Sequence, residues 1–172
     1  MIYKKLPCAL LNGVFDLIEA SEQDVIDHIG EEQVLYLAQQ IYTNRLVEKG
    51  EALTSAAETK PLLRAMLQGE SEKFAMLILD TQNRLITTEI VSIGTIDSAT
   101  VYPRECVKLM LKYNGSAAIF AHNHPSGDAT ASQSDRIITQ RLQKAFALLD
   151  LRVLDHFIVG DEIISFAERG YI

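Results

Sequence analysis

Apolar residues change their spacing near residue 70, and the change divides the chain into two kinds of secondary structure. Ahead of it the spacing is helical. Ser21 and Asp24 mark a capped start for a short segment ending at Gly30, and Val34, Leu37, Ala38 and Ile41 recur on one face until Gly50. Ser55-Ala-Ala-Glu58 has the form of a capping box and predicts a third helix through Leu67. Pro61 lacks a backbone donor, so a later start near Thr59 is equally compatible.

From Phe74 the pattern turns sheet-like. Phe74–Leu79 and Leu85–Ile93 flank the turn Asp80-Thr-Gln-Asn83 and predict a hairpin. Pro103 suits the first turn of a helix running to about Tyr113, and Ser116–Ala121 reads as a short strand buried on both faces. Ile137, Ile138, Leu142, Ala145, Phe146 and Leu149 predict the longest helix, followed by strands over 152–159 and 163–166. Alternating strands and helices give an α/β (α+β) domain with a mixed sheet over residues 70–172, preceded by a small helical region over 1–69.

The 172 residues are 48% apolar and 23% charged, the make-up of a chain that builds a core without disulfides or structural metals. The formal net charge of −7 argues against a general nucleic-acid-coating role, since a polyanion is repelled on average. All of that excess lies before residue 101, because residues 101–172 carry eight basic and eight acidic side chains. No uncharged apolar run is long enough for a membrane span, and Met1–Pro7 lacks the apolar core of a secretory leader, so a cytoplasmic location is expected. Cys8 and Cys106 stand far apart and form neither a thiolate zinc motif nor a disulfide framework.

The chemistry concentrates in His122-Asn-His124-Pro-Ser-Gly-Asp128, at the end of the buried strand. Two residues apart in an extended chain, the histidines share a face with Cα atoms roughly 6.6 Å apart, a span two imidazoles can bridge to one ion. Pro125, Ser126 and Gly127 reverse the chain and bring the next helix back, with Asp135 in its first turn. Two imidazoles and a carboxylate suit zinc and leave the fourth tetrahedral position for water. Such a site also needs a carboxylate that is not a ligand. Glu89 is the candidate, because an ionised group within an apolar strand is expensive unless a site uses it. Ser132 can donate to a developing oxyanion.

These residues resemble a known family. His122-x-His124-Pro125, seven residues (125–131) and then Ser132-x-x-Asp135 match the JAMM metalloprotease motif of MPN domains, and HNHPSGD is similar to the bacterial RadC branch. Ser92–Thr95, Tyr102–Glu105 and Val153–Val159 extend the likeness, which covers roughly residues 70–172. The resemblance implies an MPN/JAB-type, cytidine-deaminase-like fold in a short form without a helix-hairpin-helix region. It also implies zinc held by His122, His124 and Asp135, with Glu89 as general acid/base, Ser132 as transition-state donor and a peptide or protein as substrate. Position 131 is Ala where the branch usually has Pro, and Glu105 ranks second to Glu89.

The alternatives have other signatures. Ser132-x-x-Asp135 alone is an ordinary helix start, but capping explains neither histidine. Arg104, Lys108 and Lys112 draw a basic stripe that a solvated helix face also explains, and His28 and His156 read as structural. HNH nucleases spread their residues over a ββα unit, and zinc deaminases need His-x-Glu and Pro-Cys-x-x-Cys, which are missing. The reading is a zinc-dependent amide hydrolase, with a non-catalytic scaffold or a DNA-repair accessory as rivals.

Overall fold

The computed structural model describes residues 30–53, 55–94 and 101–172. Of the expected segment over 21–30 only Gly30 is among these, and Cys8 and His28 lie outside them. Among the described residues nine elements follow in order: α1 (Glu31–Lys49), α2 (Ala56–Met66), β1 (Lys73–Leu79), β2 (Leu85–Ile93), α3 (Pro103–Lys112), β3 (Ala117–Asn123), α4 (Gln133–Ala147), β4 (Arg152–Val159) and β5 (Ile163–Ser165). Among the described residues no helix is long and apolar enough to cross a membrane.

The five strands form one mixed sheet in the order β2-β1-β3-β4-β5. β1 and β2 make the expected antiparallel hairpin, β1 also pairs antiparallel with β3, and β3 runs parallel to β4 through the α4 crossover. Ligands of open α/β sheets gather beyond the carboxyl ends of parallel strands, and the two histidines stand at that end of β3.

Strand periodicity sends alternate residues to opposite layers. On one face Leu62, Leu63, Met66 and Leu67, from α2 and its end, pack with Ala75, Leu77, Ile119 and Phe157. On the other, Cys106 and Met110 of α3 and Leu142 and Phe146 of α4 pack with Phe74, Met76, Ile78 and Phe120. β3 is therefore buried along its whole length, as its unbroken apolar run required.

The capping box at Ser55 forms with Glu58, so α2 begins at Ala56 and carries Pro61 inside it, rather than starting near Thr59. β3 continues past Ala121 to Asn123, because His122 and Asn123 keep pairing with Ile158 and Val159 of β4. The longest described helix is α1, with 19 residues against 15 in α4. α1 buries no residue fully: Val34, Leu37 and Ala38 are partly covered and Ile41 is exposed.

Leu62→Ala removes a fully buried side chain between α2 and the sheet and lowers stability by about 2–5 kcal/mol. Leu148→Ala, at an 86% exposed position, changes it by less than about 0.5 kcal/mol in the same equilibrium urea titration.

Candidate metal centre

Three elements deliver the polar groups. β3 ends with His122 facing α4, the turn after it presents His124, and the first turn of α4 presents Asp135. His124 N–H donates to the Val159 carbonyl at 2.9 Å, which continues the β3–β4 pairing for one residue and aims His124 back toward His122. The turn closes with Gly127 N–H donating to the His124 carbonyl, at a φ of 83° that suits glycine. Gly160 lies so close to it that an added Cβ would meet the Gly127 carbonyl oxygen at 2.2 Å.

The donor atoms converge. His122 Nε2 and His124 Nε2 are 3.0 Å apart, Asp135 Oδ1 is 3.1 Å from His122 Nε2, and Asp135 Oδ2 is 3.7 Å from His124 Nε2. Donors spaced at the tetrahedral angle with zinc bonds of about 2.0–2.1 Å stand roughly 3.3 Å apart. Asp135 and His122 are buried and His124 is nearly so.

The carboxylate of Asp135 is divided between two tasks. Oδ2 accepts from Ser132 N–H and Ser132 O–H, both at 2.7 Å, while Ser132 Oγ accepts from Asp135 N–H at 3.1 Å. This closes the capping box of α4. Oδ1 has no hydrogen-bond partner despite its burial: His122 Nε2 is within reach but out of line for a donated hydrogen. An orphaned, fully buried carboxylate oxygen is costly unless a cation faces it. Capping and ligation are thus compatible uses of one side chain. Burial opposes ionisation of Asp135, but the two Ser132 donors to Oδ2 favour it, and the carboxyl is held well below the usual range. The Ser132 proton expected to serve an oxyanion is donated to Asp135.

Glu89 lies on the same sheet face as His122 but two strands away, paired with Met76, whereas His122 pairs with Phe74. Its carboxylate accepts a short hydrogen bond from Tyr113 O–H, and Lys112 Nζ stands 3.9 Å away. Glu105 pairs with Lys108 at 2.7 Å on the exposed side of α3. With Arg104 Nε 4.0 Å from Glu105 as well, all three cations of the basic stripe have a carboxylate partner.

Glu72 is a further carboxylate near the histidines, one that its place in the sequence did not single out. It lines one cleft with Phe74, Ser92, Gly94, Val101 and His122. Its backbone is held on three sides: Asn123 Oδ1 accepts from Lys73 N–H at 2.7 Å, Asn123 Nδ2 donates to the Ser71 carbonyl at 3.1 Å, and Gly94 N–H donates to the Glu72 carbonyl at 2.8 Å. The middle residue of His-Asn-His thus latches the start of β1 beside the histidines. The available signal was weak, a Glu just ahead of a buried strand.

A family model described as RadC-like JAB domain matches residues 53–171. The chain belongs to this family. A UPF0758 protein of Vibrio vulnificus is 50% identical over 165 residues, covering 91% of this chain and 74% of that protein. A UPF0758 protein of Vibrio cholerae is 50% identical over 155 residues, covering 90% of this chain and 98% of its own length. JAB domains are often hydrolytic and often bind zinc, and the buried His122–His124–Asp135 group of this RadC-like domain can hold a metal ion.

Ser132→Ala removes the helix cap and both side-chain bonds to Asp135. In metal-free buffer it lowers unfolding free energy by about 1–2 kcal/mol, read from urea titrations beside the wild type.

Proposed function

We propose that this RadC-like domain is a zinc-dependent hydrolase of amide bonds in a peptide or protein substrate, acting in the cytoplasm. The observation that carries the reading is the orphaned Asp135 Oδ1, 3.1 Å from His122 Nε2, which itself stands 3.0 Å from His124 Nε2. A divalent ion held by His122, His124 and Asp135 would supply Lewis acidity, polarising the scissile carbonyl and making water nucleophilic near neutral pH. Carboxylate and imidazole suit zinc, and three protein donors leave a position open for substrate chemistry.

Within this proposal the chain's own residues divide the work. Glu72, fixed by Asn123 at the rim of the cleft that His122 lines, takes the proton from the attacking water and returns it to the leaving nitrogen. Glu89 was the candidate for that role; its bond to Tyr113 and its place beside Lys112 favour a tie between β2 and α3 instead. Ser132 acts through Asp135, holding Oδ2 so that Oδ1 faces the imidazoles. The free buried thiol of Cys106 suits a reducing compartment. A role on nucleic acid is disfavoured by the net charge of −7.

The experiment measures hydrolysis of a panel of peptides and isopeptide-linked conjugates by zinc-loaded protein. Glu72→Gln lowers kcat by about 10²–10⁴-fold with zinc retained, and Glu89→Gln changes it by only a few-fold. Full activity in Glu72→Gln beside a collapse in Glu89→Gln would reverse the assignment. No cleavage of any member by zinc-loaded wild type would favour a scaffold.

A further inference from the structure

His156 belongs to β4 and is neither exposed nor one of the three converging donors, yet it is bonded at both ring nitrogens. Phe74, Phe120 and Phe166 wall it in, with ring centroids 5.3, 6.4 and 5.0 Å away. Its Nε2 lies 2.9 Å from His122 Nδ1, and its Nδ1 lies 2.6 Å from Thr139 Oγ1. Thr139 Oγ1 is also 2.5 Å from the main-chain carbonyl of Asp135, one turn back along α4.

The proton positions along this chain follow from its far end. A carbonyl can only accept, so the single hydroxyl proton of Thr139 goes to Asp135 O, and Thr139 Oγ1 is left as the acceptor toward His156. His156 Nδ1 must therefore carry hydrogen. This imidazole is fully buried among three aromatic rings, and neither nitrogen is bonded to a carboxylate, an enclosure that holds it neutral. A neutral ring has one N–H, so His156 Nε2 is a lone pair and accepts from His122 Nδ1–H. His122 then presents the lone pair of Nε2 to the centre. His124 reaches the same state separately, because its Nδ1–H donates to the Asp128 carbonyl at 2.6 Å.

We infer that His156 is a positioning residue for the metal centre: with Thr139 setting the direction of the chain, it locks His122 in the Nδ1–H form whose Nε2 is ready to ligate. The inference rests on the metal reading for its purpose, but the tautomer it assigns is a property of the chain itself. Two Nε2 lone pairs 3.0 Å apart with no proton between them repel, and a shared cation relieves that repulsion. The aromatic box makes the lock firm, since no water competes for either nitrogen of His156. Thr139 returns the chain to α4, the helix that presents Asp135, so the orientation of one ligand is tied to the helix that carries another.

The test reads tautomers and metal affinity rather than turnover. In long-range ¹H–¹⁵N NMR spectra of the full chain stripped of metal at pH 8, His122 and His156 both show the Nδ1–H pattern; an Nε2–H pattern for His122 in the wild type overturns the inference. Zinc affinity, measured by chelator competition, falls about 10–100-fold in Thr139→Val and in His156→Phe, and Thr139→Ser restores it to within about threefold. Folded Thr139→Val or His156→Phe protein that binds zinc as tightly as wild type also overturns it. Should both variants unfold, the wild-type spectrum decides alone. A wild type that binds no zinc yet shows the Nδ1–H pattern removes the metal reading while leaving the relay standing.

Discussion

Burial of β3 on both faces is the constraint from which the site follows. A strand wedged between β1 and β4, with α2 on one side and α3 and α4 on the other, cannot end in polar side chains unless each finds a partner. Asn123 meets this demand with the backbone of Ser71 and Lys73, and His122 with His156 on one nitrogen. What remains are His122 Nε2, His124 Nε2 and Asp135 Oδ1, donor atoms of a group that could hold a metal ion.

The same constraint explains why the surroundings are rigid. The tight reversal after His124 is seated against Gly160, where no side chain fits, and Phe74 stacks on His122 with the rings 9° from parallel. The helix that supplies Asp135 is capped by the residue that holds its carboxylate, so the beginning of α4 and the aim of its ligand are one structural decision. Two of the three donors, His122 and Asp135, ride on a strand and a helix, and the third sits on the tight turn between them, so the group is largely preorganised.

Much of this was legible in the sequence, and the reasons differ from residue to residue. His122, His124, Ser132 and Asp135 lie within fourteen consecutive positions, so local spacing and turn chemistry brought them together. The hairpin, β3 and the α4 crossover were readable because each carries an unmixed period. Glu72 and His156 were not, since their proximity to His122 depends on strand order and register between segments 50 and 34 residues apart, which no local pattern encodes. His156 stood in plain view as a polar residue in a buried strand, but a satisfied core histidine leaves the same trace. Glu89 illustrates the converse: a carboxylate in an apolar strand does need a reason, and Tyr113 and Lys112 supply one outside the centre.

The central claim is that His122, His124 and Asp135 form one metal site. Elemental analysis of protein purified without chelator or metal-affinity resin tests it most directly, run beside His122→Ala, His124→Ala and Asp135→Ala. The account predicts about one zinc per chain in the wild type and loss of it in all three variants. A wild type without metal after incubation with zinc at neutral pH, or zinc retained in all three variants, would contradict it.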